Sequence, residues 1–175
     1  ALAEPIALQL AEALKPGCGR IEIVGSIRRR RPDVGDIELL YVPRTAPSGL
    51  FGERDGPSAD GLIKRLMDDG VLTKRCSILG RPAFGDRIKL MLHCASGIPV
   101  DLFASTDAGW WSQLVCRTGG KENNIAIASA ARRRGMKWSP PIGFVTDAGN
   151  TIIPDSEMLV FQIAGLTYVT PECRS

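Results

Sequence analysis

The chain has 175 residues, which suits one ordinary domain or a domain with a small second lobe. An apolar fraction of 44% and a charged fraction of 23% are those of a globular protein with a real core, and no run approaches the ~20 apolar residues of a membrane span, so no membrane partner is expected. The 22 Lys and Arg exceed the 19 Asp and Glu by three, a mild surplus that by itself decides little about nucleic acid.

In chain order, residues 4–15 predict a helix, with Ile6, Leu10, Ala13 and Leu14 at helical spacing and Pro16-Gly17 as its stop. Residues 1–14 carry Glu4 and Glu12 and lack a basic segment, so no secretory signal is expected in them. Residues 20–24 predict a strand that closes on the small-residue turn Val24-Gly25-Ser26. Arg28, Arg29, Arg30 and Arg31 follow, and then Gly35 introduces a second strand over 36–42. Residues 43–57 hold three prolines and three glycines and predict an exposed loop. Ser58 is placed to cap a helix reaching 69, with Leu62, Ile63, Leu66 and Met67 inward and Gly70 at its end.

Three strands are predicted next, over 71–79, 87–94 and 99–104, the last two joined by a hairpin-like link at 95–98. His93, the one histidine, alternates onto a strand face and reads as structural. Residues 107–115 predict a helix with Trp110, Trp111 and Leu114 on its inner side, and 121–134 a further helix stopped by Gly135. A hairpin over 143–153 and a short helix over 156–164 complete the elements, and the whole predicts an α+β fold. The five cysteines form an odd, widely spaced set without a C-x-x-C pair, which argues against a disulfide framework or zinc and for a reducing, cytoplasmic setting.

The chemistry concentrates between residues 23 and 40. Side chains two apart on a strand share a face, so Asp36 and Glu38 project together. Adjacent carboxylates repel, and a hard divalent cation that also takes phosphate oxygens relieves this. A lone D-x-E is usually a solvated face, and a lone Gly-Ser usually a turn. Here apolar-Gly-Ser stands nine residues before Asp-apolar-Glu-apolar, a spacing that resembles the nucleotidyltransferase superfamily. Gly25-Ser26-x-Arg28-Arg29 and Gly35-Asp36-x-Glu38 are most similar to the family X DNA polymerases, the polymerase beta relatives.

Two further stretches carry the same resemblance. Thr118, Gly119 and Asn124 fit a segment that in family X holds an aromatic pair, then Thr-Gly-Ser, then Phe-Asn. Cys116-Arg117 stands where the aromatic pair belongs, Gly120 replaces the serine and Asn123 the phenylalanine. The order of elements after 143, with Tyr168, Pro171 and Arg174, resembles the end of the family X thumb.

The resemblance implies a nucleotidyltransferase palm, a mixed sheet with flanking helices, over 1–105, and a small α+β thumb-like lobe that binds the nascent base pair over 106–175. It implies that Asp36, Glu38 and Asp101 hold two Mg2+ ions, with Mn2+ as the alternative because Glu38 departs from the usual Asp. Asp101, alone an unremarkable polar position in an apolar strand, becomes the third acid. Gly25, Ser26, Arg29 and Gly35 become triphosphate ligands, and Cys116, Arg117, Thr118, Gly119 and Asn124 face the incoming nucleotide. For Arg30 and Arg31 a solvated turn stands equally well. Lys121, Arg132 and Arg133 are the candidates for DNA contact, although basic residues at a helix C-terminus also answer its dipole.

The implied activity is nucleotide addition from a nucleoside triphosphate to a DNA 3′-hydroxyl, in gap filling or end repair, by a monomer bound to primer–template or gapped DNA. Nothing before Glu4 resembles the lyase region of family members, so the chain is either a minimal enzyme or one from which that region was removed. Two alternatives stand beside it: a nucleotidyltransferase acting on RNA, a small molecule or a protein, and a non-catalytic module that binds DNA ends.

Overall fold

The computed structural model describes residues 2–44, 56–76, 80 and 83–175. Most of the predicted loop 43–57 and the end of the predicted strand 71–79 lie outside the described residues. The fold is α+β, and its contacts divide it into two compact units. The first comprises Ala1–Ile23 and Pro32–Ala104, the second Val24–Arg31 and Ser105–Ser175. The boundary expected at 105/106 therefore needs one correction: the segment Val24–Arg31 counts with the C-terminal unit. Arg28, Arg29 and Arg31 all bond to residues of that unit.

In the first unit, α1 (Ala3–Leu14) buries Ile6, Leu10 and Leu14 of the stripe that the helical spacing marks, together with Ala7, while Ala13 is exposed. A short 3-10 turn at Lys15–Gly17 leads into β1 (Cys18–Ile23), and after Pro32 the chain enters β2 (Ile37–Pro43). Then come α3 (Ala59–Asp68), β3 (Leu72–Lys74), β4 (Ile88–His93) and β5 (Pro99–Ala104). The sheet order is β1-β2-β5-β4-β3, with β2 and β5 parallel and the other neighbours antiparallel. A parallel pair cannot be closed by a tight turn, so α3, β3 and β4 intervene between β2 and β5.

The Ser58 cap forms as expected, its Oγ accepting from the Gly61 amide at 3.0 Å. Of the four residues expected inward on α3, Leu62 and Ile63 are buried while Leu66 and Met67 are half-buried. Gly17 is needed for packing: a Cβ there would fall 2.5 Å from the Ala59 backbone, where the turn meets α3. His93 places Nδ1 2.8 Å from Ser96 Oγ in the β4–β5 link, in keeping with a structural role.

The second unit holds α2 (Gly25–Arg28), α4 (Trp110–Thr118), α5 (Lys121–Arg133), β6 (Met136–Ser139), β7 (Gly143–Thr146), β8 (Thr151–Ile152) and α6 (Glu157–Ala164). The three strands form an antiparallel sheet in the order β6-β7-β8. Its core gathers Val115, Ile127, Ala131, Phe144, Val160 and Phe161, all at most 1% exposed. Trp138 stacks on Phe144 and donates its Nε1–H to Ser112 Oγ at 2.7 Å, so its polar edge is satisfied inside the core.

Strand β6 was not expected, although Met136 and Trp138 are buried while Lys137 between them is exposed, the period of two that marks a strand. Helix α4 also runs further than the expected 107–115, and ends only where Gly119 takes φ +71°. Among the described residues, no helix is long and apolar enough to cross a membrane.

Candidate active site

The acids lie in the first unit. Strand β2 is buried from Leu39 to Val42, and Glu38 is its half-buried exception near the start. Asp36 immediately precedes the strand and is also half-buried. The parallel register sets Glu38 directly beside Asp101 of β5, so the two acids occupy matched positions on neighbouring strands, about 4.8 Å apart in the sheet. The resemblance had already named Asp101 as the third acid, and pairing across 63 residues of chain sets it beside Glu38.

Arg75 meets Asp101 as well. Its Nη2 lies 2.5 Å from Asp101 Oδ1, and its Nε donates to the Met91 carbonyl at 3.1 Å. Among the described residues, no three Asp, Glu, His or Cys side chains are grouped so as to hold a metal ion. By kind and by register the acids suit a hard divalent cation, since they are all-oxygen donors. In the conformation described, a guanidinium holds one of them. Gly35, expected to offer its amide to a phosphate, is exposed and lines a hollow of about 410 Å3 with Pro32, Asp33, Val34 and Ile98.

The other predicted residues lie in the second unit. Gly25 opens α2 at φ +66°, and Ser26 Oγ is buried without a hydrogen-bond partner. A buried hydroxyl left without a protein partner costs free energy, and an incoming anion is one way to satisfy it. Arg29 donates through Nη1 to the Thr118 carbonyl, and its guanidinium lies against Gly119, where a Cβ would come within 2.8 Å of Nη1. Gly119 is thus required twice, by its positive φ and by this approach. The Gly119–Gly120 peptide is cis.

The arginine run is largely structural. Arg28 donates to both carboxylate oxygens of Glu157, at 2.8 and 2.9 Å, and to Thr118 Oγ1 at 2.7 Å. Arg174, 1% exposed, donates to the same Glu157 at 3.0 Å and to the Val169 carbonyl, and its guanidinium lies by the rings of Phe161 and Tyr168. Arg31 is exposed and bonds the Arg174 carbonyl at 2.7 Å; Arg30 is 81% exposed at its side chain, 3.6 Å from Glu172. Burial raises the Glu157 carboxyl, but the hydrogen bonds and charges of Arg28 and Arg174 outweigh this and hold it below the usual carboxylate range.

Sequence reasoning missed Glu157 and Arg28. The signal was present, because Glu157 shares the stripe of Val160, Phe161 and Ala164 on α6, but an acid after a capping serine reads first as a solvated helix start. Cys116 and Arg117 sit half-buried on the last turn of α4, and Asn124 donates its Nδ2 to the Cys116 carbonyl at 2.8 Å while its Oδ1 is buried without a partner. Lys121, Arg132 and Arg133 are exposed on α5. Lys121 and Arg132 stand about 17 Å apart along the axis, with Ile125 exposed between them, so they make no single basic patch.

A comparison with curated proteins finds no match. Residues 113–175, which take in most of α4, all of α5, the three-stranded sheet and α6, match the family model described as DNA polymerase beta thumb. This C-terminal stretch is thus similar to the thumb of polymerase beta, in agreement with the resemblance to family X that the motifs carry.

Proposed function

We propose that this chain is a metal-dependent nucleotidyltransferase that adds nucleotides from nucleoside triphosphates to a DNA 3′-hydroxyl and releases pyrophosphate. The single observation that carries the reading is the register of Glu38 against Asp101, with Asp36 just ahead of the same strand, in a chain whose C-terminal residues match a polymerase thumb.

In the first unit, Asp36, Glu38 and Asp101 would hold two Mg2+ ions, with Mn2+ as the alternative. When bound, such ions polarise phosphoryl oxygens and neutralise the charge that develops on the attacking and leaving oxygens. In the second unit, the Ser26 hydroxyl would donate to a phosphate oxygen and gain the partner it lacks. Arg29 suits a triphosphate because its planar fork can give two hydrogen bonds to one phosphate. The Thr118-Gly119 turn, held by Arg28 and Arg29, would support the nucleotide. Asn124 would have to release the Cys116 carbonyl to reach a base edge. DNA in primer–template or gapped form would be the partner of a monomeric enzyme in a reducing compartment.

Extension of a labelled primer on gapped, recessed and single-stranded DNA, with each dNTP and rNTP and with Mg2+ or Mn2+, tests this reading. Incorporation with pyrophosphate release on at least one substrate is expected; none on any, with DNA still bound, overturns it. The second reading, a non-catalytic DNA-end module, is favoured by the Arg75 guanidinium on Asp101, and the same assay separates the two.

A further inference from the structure

The acid row continues across the sheet. Glu38 of β2 pairs with Asp101 of β5, Asp101 pairs with Leu90 of β4, and the Arg75 amide, just past β3, donates to the Leu90 carbonyl at 3.1 Å. Paired residues on neighbouring strands share a face, so Glu38, Asp101, Leu90 and Arg75 form one line across four strands. Arg75 reaches over Leu90, a distance of about two strand spacings or roughly 10 Å, to the Asp101 carboxylate.

The neighbouring cations point the other way. Lys74 pairs with Met91 and Lys89 with Leu102, one residue out of step with the acid row, so they belong to the opposite face. There Lys89 is buried and meets Asp60 of α3 at 3.0 Å. Arg75 is thus delivered to the acids by strand parity, and its Nε bond to the Met91 carbonyl fixes the plane of its guanidinium. The Asp101 side chain is only 15% exposed, and beside it in the sheet stands a second carboxylate, so a nearby positive charge relieves repulsion between the two.

We propose that Arg75 is a positioning residue of the acid row, which holds the Asp101 carboxylate when no divalent cation is bound and is displaced from it when one binds. The inference rests on the reading of Asp36, Glu38 and Asp101 as metal ligands. Arg75 and the ion are competitors for one carboxylate, and the guanidinium also repels the ion. Removing the guanidinium therefore tightens metal binding, whereas a merely structural ion pair would leave it unchanged or weaken it.

The test is Mn2+ binding to the whole chain, without nucleotide or DNA, read as free Mn2+ by electron paramagnetic resonance. Arg75→Gln is expected to bind Mn2+ roughly tenfold more tightly than the wild type, the effect of removing one unit charge a few ångströms from the ion in a partly screened site. Asp101→Asn is expected to weaken binding, and in that background the gain from Arg75→Gln is expected to be smaller, since competition for the carboxylate is gone and only the charge repulsion remains. Should the Gln variant not fold, Arg75→Met, which keeps the packed stem, carries the same comparison. Weaker Mn2+ binding on Asp101→Asn together with an unchanged or higher Kd for Arg75→Gln overturns the role of Arg75 and leaves the metal reading standing. Absence of Mn2+ binding in the wild type and in every Arg75 variant overturns both.

Discussion

Two of the carboxylates that face arginines in this protein, Glu157 and Asp101, are built for different ends. In the second unit Glu157 meets two guanidinium groups, Arg28 on both oxygens and Arg174 on one, with its side chain 11% exposed. In the first unit Asp101 meets Arg75 through one oxygen and has another acid, Glu38, beside it in the sheet. A buried acid matched by opposite charge is compensated and holds structure in place. An acid set beside an acid faces a like charge as well as its arginine, and a further cation would relieve that repulsion. The number and sign of the neighbours, more than burial, separates the two.

The largest expected effect falls on Asp101. Asp101→Ala should cut nucleotide addition by orders of magnitude while the melting transition changes little, and primer extension with a parallel thermal melt checks both. Near wild-type incorporation would remove Asp101 from the acid row. Glu157→Gln should do the reverse, since it leaves two buried guanidinium groups short of a charge. A loss of about 3 kcal/mol in the stability of the second unit is expected, measured as a shift in the urea midpoint. If that variant melts like the wild type, the cluster does not hold the fold.

Acid sharpens the contrast. The Glu157 carboxyl lies below its ordinary value in the folded chain, so its stabilisation is fully present above the unfolded value of about 4.3 and is lost as pH falls through the lower folded value. The stability gap between wild type and Glu157→Gln should therefore stay level from neutral pH down to about pH 5 and close below about pH 4. Urea titrations at a series of pH values measure it, and a gap that persists in strong acid would show that charge is not its source. A smaller effect is expected for Arg28→Lys, which keeps the charge but not the fork that spans Glu157 and Thr118. The loss should be about 1–2 kcal/mol in stability. A rise in the KM for nucleotide should accompany it, because Thr118 loses its donor. A KM equal to that of the wild type would detach Arg28 from the Thr118-Gly119 turn.

Much of the local structure was legible from residue order. Most of the apolar stripe of α1, the Ser58 cap and the β4–β5 hairpin follow from periodicity and turn chemistry, which act over a few residues. Strand β6 was missed because four residues are too few for alternation to stand out. The end of α4 was misplaced by three residues because Cys116, Arg117 and Thr118 read as a motif and only Gly119 ends the helix.

The sequence by itself determined that Asp36 and Glu38 stand two residues apart, where the small-residue turn lies and that the arginines cluster, because all of these are spacings along the backbone. Tertiary structure decided the partners. Glu38 meets Asp101 through a parallel register, Arg75 reaches Asp101 across two strands, and Arg28 is taken up by Glu157 from 129 residues away. A charged side chain carries no mark of its distant partner, since Coulomb attraction depends on sign and distance in space, and only the folded chain sets that distance.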